Sequence, residues 1–301
     1  MNASGATPDA SPKIWTVQGL LDWATGFFKT KNIESPHLEA EILLAYALRC
    51  KRLDLYLKFE QAVPPDGLAR FKDAVIRRTN KEPVAYITGT KSFFSLEFKI
   101  SPDVLIPRPE TETLVEAALE YLADLNEKRG PNNEPFRVVD VGTGAGIVAI
   151  CLTKFFPGVE VLGIDISEAA VAVAQENAQR HGVGDRCQFV QGAVLEPLAT
   201  HPEFSSPDLI VSNPPYVSDS DFEVLDPGIK NFEPTGALKG GPDGLTIIQQ
   251  LLSQADAVLK PDGSLMIELG FGQDGPLSQI KKYALTLEGF TRDLQGIPRV
   301  A

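Results

Sequence analysis

Four consecutive residues, Asn213, Pro214, Pro215 and Tyr216, set an amide, two rigid rings and a phenol directly after the apolar run "DLIV" and a serine. Proline fixes its own φ and keeps the preceding residue out of the helical region, so Asn213 and Pro214 are both held extended in a stiff turn. On such a turn the Asn213 side-chain oxygen and the Pro214 backbone carbonyl are two fixed acceptors. Their complement is a planar NH2 group with two N–H bonds. Tyr216 and nearby apolar residues could pack on the face of that group. The competing reading is a loop-capping turn that satisfies strand-end groups.

A second cluster, "DVGTGAG", places Asp140, Gly142, Gly144 and Gly146 between an apolar run and a helical pattern. Glycines there let the backbone approach a ligand closely, and a helix amino terminus beyond them favours carboxylate or phosphate. The spacing is GxGxG, with Ile147 where a dinucleotide fingerprint has its third glycine, which disfavours a nicotinamide oxidoreductase. About 20 residues further on, Asp165 in "GIDIS" is the expected acidic partner for ribose hydroxyls. Together these predict a nucleoside-cofactor pocket, against the plainer reading of a structural turn.

The elements that must position both clusters follow from periodicity. From Thr16 to about Arg78 apolar residues recur at three- and four-residue steps, predicting a small helical bundle. "SFFSLEFKIS" alternates as a strand, and "DVLIP" beyond a turn at Ser101 and Pro102 predicts the second arm of a hairpin. After "IPRPETE" comes a helix, and beyond Pro135 strands and helices alternate, with a helix expected near 276–287 and two short extended pieces at the end. This order predicts an α/β fold with a doubly wound, mostly parallel sheet and any ligand at the carboxyl ends of its strands. The expected division is an unstructured leader at 1–14, a helical domain at 15–91, a hairpin linker at 92–107 and the α/β domain at 108–301.

The net charge of -12 is unevenly placed: residues 1–91 carry 13 Lys and Arg against 10 Asp and Glu, whereas the remainder carries 15 against 30. A surface that neutralises phosphates needs clustered Lys and Arg, so direct nucleic-acid binding is not expected of the α/β portion. No apolar stretch has bilayer-spanning length, and the polar first residues lack a signal peptide's apolar segment. Cys50, Cys151 and Cys187 show neither disulfide nor zinc spacing, which suits a reducing cytoplasm. His37, His181 and His201 are scattered and are read as surface or packing residues, not metal ligands. Glu268, at a strand end, either faces the site or, the preferred reading, satisfies a nearby backbone group, and Phe93 and Phe94 are read as hairpin core.

The segments "EPVAYITG", "VLIPRPETE", "DVGTGAG", "SNPPYV", "FEPTGALKGGPDGL" and "IELG" together resemble the HemK/PrmC family, from about Thr16 to the C-terminus. The resemblance implies a Rossmann-like class I S-adenosylmethionine-dependent methyltransferase with a seven-stranded sheet. It implies methyl transfer to the glutamine amide in the Gly-Gly-Gln loop of class I peptide-chain release factors, with the N-terminal helices as the docking module. On that resemblance Gly142, Thr143, Gly144, Ala145 and Gly146 line the cofactor, Asp165 takes the ribose, Asn213 to Tyr216 hold the glutamine, and Arg108 borders the pocket. The family commonly has an acid and an aromatic beside the adenine, where this chain has Ala193 and Val194. A nucleic-acid methyltransferase acting on exocyclic amines of the N6-adenine type, and a non-catalytic cofactor-binding scaffold, are the alternatives, since the "NPPY" turn fits any such NH2.

Overall fold

Thr16 starts the first helix because its hydroxyl accepts the Gly19 N–H at 3.1 Å, satisfying a donor that a helix's first turn leaves open. The computed structural model describes residues 14–130, 134–280 and 283–301, so all of the expected leader except Ile14 lies outside the described residues. Five helices follow: α1 (Val17–Thr30), α2 (Pro36–Leu48), α3 (Arg52–Leu57), α4 (Pro65–Thr79) and α5 (Val84–Thr88). Pro36 and Pro65 open α2 and α4, where a missing N–H costs nothing. Leu20, Phe28, Leu43, Leu44, Leu55 and Phe71 are buried together, and Arg78 on α4 forks onto Glu39 of α2. The chain divides into two compact units, one ending at Thr88 and the other beginning at Gly89.

The second unit opens with a hairpin that corrects the expectation. Strand β1 (Thr90–Phe93) pairs antiparallel with β2 (Leu96–Lys99), so the turn falls at Phe94 and Ser95 and not at Ser101 and Pro102. Both turn residues have positive φ, 47° and 62°, as a two-residue hairpin loop of type I′ requires, although neither is glycine or asparagine. Tertiary contacts hold Phe94 there: its N–H donates to Glu112 Oε1 at 3.1 Å and its ring meets Phe155 edge-on at 5.2 Å. The "DVLIP" segment is not a strand.

The alternating elements form as expected: α6 (Thr111–Arg129), β3 (Phe136–Val141), α7 (Ile147–Phe155), β4 (Val159–Asp165), α8 (Glu168–His181), β5 (Cys187–Gln191) and β6 (Leu209–Ser212). Short helices α9 (Asp219–Glu223) and α10 (Pro227–Lys230) interrupt the long connection to α11 (Thr246–Val258), β7 (Ser264–Ile267) and α12 (Asp274–Ser278). The chain ends with β8 (Thr291–Arg292) and β9 (Pro298–Val300). Of the helix expected near 276–287, the described residues show the short α12, and residues 281–282 lie outside the described residues.

Five strands run parallel in the order β5-β4-β3-β6-β7. Their runs of Val, Ile and Leu are buried because helices cover both faces of such a sheet. Beyond β7 the sheet continues into the antiparallel β8–β9 hairpin, with Ile267 and Ala301 exchanging N–H···O bonds at 3.0 Å and the Leu269 N–H donating to the Arg299 carbonyl at 2.7 Å. The expected seven strands are therefore five in one parallel ladder and two short antiparallel ones at its edge. No described helix is long and apolar enough to cross a membrane.

Asn177, on α8, ties the hairpin to this sheet. The fully buried side chain accepts the Lys99 N–H at 2.8 Å and donates to the carbonyls of Lys99 at 3.0 Å and Ala145 at 2.9 Å. Replacing it by Ala strands the buried Ala145 carbonyl and the partly buried Lys99 N–H and carbonyl, at about 1–3 kcal/mol for a fully buried group and less for the other two. Asn177→Ala is expected to lower unfolding stability by about 3 kcal/mol or more, measured as a shift of the urea midpoint.

Candidate active site

The parallel register brings three strand ends level. Val141 lies opposite Ile164 on one side and Ser212 on the other, so Gly142, Asp165 and Asn213 leave the sheet at one edge. The Gly142 and Thr143 N–H groups both donate to the Ile164 carbonyl, at 2.8 and 3.0 Å, folding the chain sharply at the strand's end. Gly142, Gly144 and Gly146 all have positive φ. A Cβ at Gly144 would meet nothing within 4 Å, whereas one at Gly146 would lie 3.0 Å from Ile150 and Phe189 and 3.1 Å from Ala174. Gly144 thus leaves an open backbone face, and Gly146 lets α7 start against the core.

Carboxylates hold this turn from both sides. Asp165 accepts the Gly144 N–H through Oδ2 and the Ser167 N–H through Oδ1, both at 2.9 Å. Asp140 accepts from Thr143 Oγ1 at 2.6 Å and from the Ala149 N–H at 3.2 Å. Burial pushes the Asp140 carboxyl up to about 6 despite those bonds, and the charge of Asp165 adds to the rise. Sequence reasoning missed Gly163, one strand over: a Cβ there would sit 2.5 Å from Phe189 and 2.9 Å from Thr143 Oγ1. A glycine inside a strand pattern was the available signal of such close packing.

On the other side of the edge, Ser212 Oγ donates to the Val141 carbonyl at 2.8 Å and locks β6 to β3. Asn213 Nδ2 donates to Thr111 Oγ1 at 3.1 Å. No described residue donates to Asn213 Oδ1 or to the Pro214 carbonyl, so both expected acceptors are free of protein partners. Pro214 is buried, while Pro215 and Tyr216 are half-buried. Burial, with the nearby Glu268 carboxyl, pushes the Tyr216 phenol up to about 12, keeping it protonated. Gln273 braces the segment: Nε2 donates to the Tyr216 carbonyl at 3.1 Å and Oε1 accepts the Gly270 N–H at 2.9 Å. Gly270 is required beside it, because a Cβ would come within 2.9 Å of the Tyr216 ring.

A strap before α6 closes the edge. Glu233, 5% exposed, accepts from Arg108 Nη2 and from the Ile106 N–H, so a carboxylate 125 residues further along the chain from Arg108 anchors the strap. Leu105, Pro107, Arg108 and Thr111 face Gly142, Thr143, Gly144, Ala145 and Asn213 across a cavity of ≈ 50 Å³. Of the residues singled out in the sequence, the structure gathers Arg108, Asp140, Gly142, Thr143, Gly144, Ala145 and Asn213 around that cavity. Asp165 adjoins it through Gly144, and Gly146 lies behind it against the core. Pro214, Pro215, Tyr216 and Val194 are not among its walls. Val194, with φ of 50°, packs its side chain towards the apolar cluster around Leu195 and Leu198. A larger cavity of ≈ 770 Å³, walled by Leu252, Leu259, Ile267 and Phe290 among others, shares no residue with this edge.

Glu268 departs from its expected role. Its backbone N–H donates to the Ser212 carbonyl at 2.9 Å, but its carboxyl caps no backbone group; Oε2 is buried without a hydrogen bond among the described residues. Burial pushes this carboxyl up to about 7.

Residues 19–89 match the PrmC N-terminal domain, and residues 132–282 match a methyltransferase domain. The release factor glutamine methyltransferase of Geobacter sulfurreducens is 40% identical over 290 residues, 96% of each chain. That of Nitratidesulfovibrio vulgaris is 38% identical over 293 residues, covering 96% of this chain and 95% of its own. Among solved structures, the hMettl16 catalytic domain superposes with a TM-score of 0.51 at 17% identity, covering 76% of this chain and 80% of that one, which is a likeness of fold.

A carboxyl whose folded pKa is raised makes the folded state bind more protons than the unfolded chain between the two values. Stability therefore falls as pH rises through that window. For Asp140 the window runs from 3.8 to about 6, a loss of up to about 3 kcal/mol. Asp140→Asn keeps an acceptor for Thr143 and Ala149 without the buried charge, and is expected to flatten this decline in denaturation midpoints taken at successive pH values.

Proposed function

Because this chain belongs to the release factor glutamine methyltransferase family, we propose that it transfers a methyl group from S-adenosylmethionine to the side-chain amide nitrogen of the glutamine in the Gly-Gly-Gln loop of class I peptide-chain release factors. The observation that carries the reading is the pair of unpartnered acceptors, Asn213 Oδ1 and the Pro214 carbonyl, at the same sheet edge as the open glycine turn.

The turn fits the cofactor. Gly144 leaves room for a ligand against the backbone, and each Asp165 oxygen keeps a lone pair for a ribose hydroxyl after accepting its one N–H. The residues that would hold it are Gly142 through Gly146, Asp165, Arg108 and Asn213. Bound there, the cofactor supplies an electrophilic methyl on a sulfonium.

An amide nitrogen is a poor nucleophile, so positioning does most of the work. The two acceptors take both N–H bonds of the glutamine and fix the plane of its NH2, leaving the nitrogen's face as the direction of attack. Tyr216, kept neutral by burial, offers an aromatic face without a competing negative charge. The strap anchored by Glu233 would shield a bound cofactor's reacting end from water. Once alkylated, the nitrogen carries a proton acidic enough to leave for water, so no strong base is needed.

The same reading gives the helical N-terminal unit the docking role, places the protein in the cytoplasm, in keeping with free Cys50, Cys151 and Cys187, and expects no direct nucleic-acid contact. The acidic balance of residues 92–301 weighs against an exocyclic-amine nucleic-acid substrate.

The test is to incubate the protein with methyl-labelled cofactor and either release factor or unmethylated DNA. Label is expected in the release factor, at the Gly-Gly-Gln glutamine; label entering DNA alone overturns the reading. Asn213→Ala is expected to lower kcat by about 10²-fold or more while leaving cofactor affinity within a few-fold, measured by calorimetry. Asp165→Ala is expected to do the reverse, weakening cofactor binding chiefly.

A further inference from the structure

An asparagine side chain is nearly symmetric in shape. Turned by half a turn about its last bond, it exchanges an acceptor for a donor with little change in volume. For a substrate NH2 the difference is decisive, since a flipped Asn213 would present N–H to N–H. Thr111 alone cannot choose between the two states, because a hydroxyl accepts from an NH2 and donates to a carbonyl oxygen equally well.

Glu268 supplies the missing asymmetry. Its N–H donates to the Ser212 carbonyl, the residue before Asn213, so its side chain emerges beside the acceptor turn. The carboxyl is 1% exposed, and Oε2 has no hydrogen-bond partner among the described residues. The Thr111 and Asn213 side chains both lie close enough to favour its ionised form. Facing it are also Arg299 of β9, which favours the charge, Glu110 ahead of α6, which opposes it, and the Tyr216 phenol.

We propose that Glu268, as a carboxylate, is the positioning residue that sets the orientation of Asn213. A carboxylate only accepts. It draws the Thr111 O–H towards itself, which leaves the Thr111 lone pairs for Asn213 Nδ2, as the 3.1 Å bond between them records. The chain of donors then runs one way, from Asn213 through Thr111 to Glu268, and Asn213 Oδ1 is left facing the cavity. A protonated Glu268 can itself donate; the Thr111 hydroxyl is then released to turn towards Asn213, and the flipped amide becomes equally stable. This inference rests on Asn213 being the residue that receives the substrate amide.

The experiment measures kcat against pH with the full-length enzyme, methyl-labelled cofactor and saturating release factor. The wild type is expected to lose activity about tenfold per pH unit below about pH 7. Glu268→Gln, which has no charge to lose, is expected to be about 10- to 100-fold slower at pH 8 with that acid limb abolished, and to bind cofactor within twofold of wild type. Thr111→Val breaks the relay while leaving the carboxyl in place. It is expected to lower kcat similarly, and the double variant to be no slower than either single one. A Glu268→Gln enzyme that keeps the wild-type acid limb, or a double variant whose losses multiply, overturns the proposal. If Glu268→Gln does not fold, Thr111→Val decides: kcat within twofold of wild type at pH 8 overturns the proposal, and a tenfold or greater loss with cofactor binding retained supports it. Asn213→Ala run alongside separates the premise, because full activity there removes the amide-binding role of Asn213 whatever the Glu268 variants do.

Discussion

Everything at the site depends on one constraint, the flush register of three parallel strands. Because β3 pairs with β4 and β6 so that Val141, Ile164 and Ser212 stand level, three loops leave the sheet at one height. Evenly spaced parallel hydrogen bonds impose that register across the whole ladder, and a slip on either side would move Asp165 or Asn213 a full residue away from the glycine turn. The buried bond from Ser212 Oγ to the Val141 carbonyl pins the alignment at the edge where it matters.

Buried carboxylates divide by their place relative to that edge. At the start of β6, far from the loops, Asp208 is fully occupied by Arg129, Lys260 and the Arg137 N–H. Its charge is paired, and its work is to close the bottom of the sheet. At the ligand edge the pairing is incomplete: Asp140 has two uncharged donors, and Glu268 leaves one oxygen with none. Their raised proton affinities follow from desolvation that the surrounding partners do not offset. Underpaired buried acids are costly, and their gathering at the ligand edge is what marks that edge as a candidate site. Glu233 stands between these cases, buried but matched to Arg108, and it holds the strap in place.

Much of the fold was legible along the chain. Alternating apolar runs and helical periods mark the βα order. The glycine turn and the "NPPY" segment could be read as one ligand edge, because each carries its conformational demand in its own residue types. The hairpin turn is not legible along the chain because Phe94 and Ser95 carry no local turn signal; Glu112 and Phe155, distant in sequence, hold Phe94 at positive φ.

By itself, then, the sequence determined the layered α/β architecture, the stiffness of the proline corner, the backbone freedom of the glycine turn and the identity of the two acceptors. Those are properties of residue type and immediate neighbours, and they survive without knowledge of what packs against them. Only the tertiary structure brings Thr111, Glu233 and Glu268 to this edge and ties down one end of the Asn213 amide. Hydrogen bonding between residues dozens of positions apart, and the loss of solvent around a carboxyl, exist only once the sheet has brought its edges together.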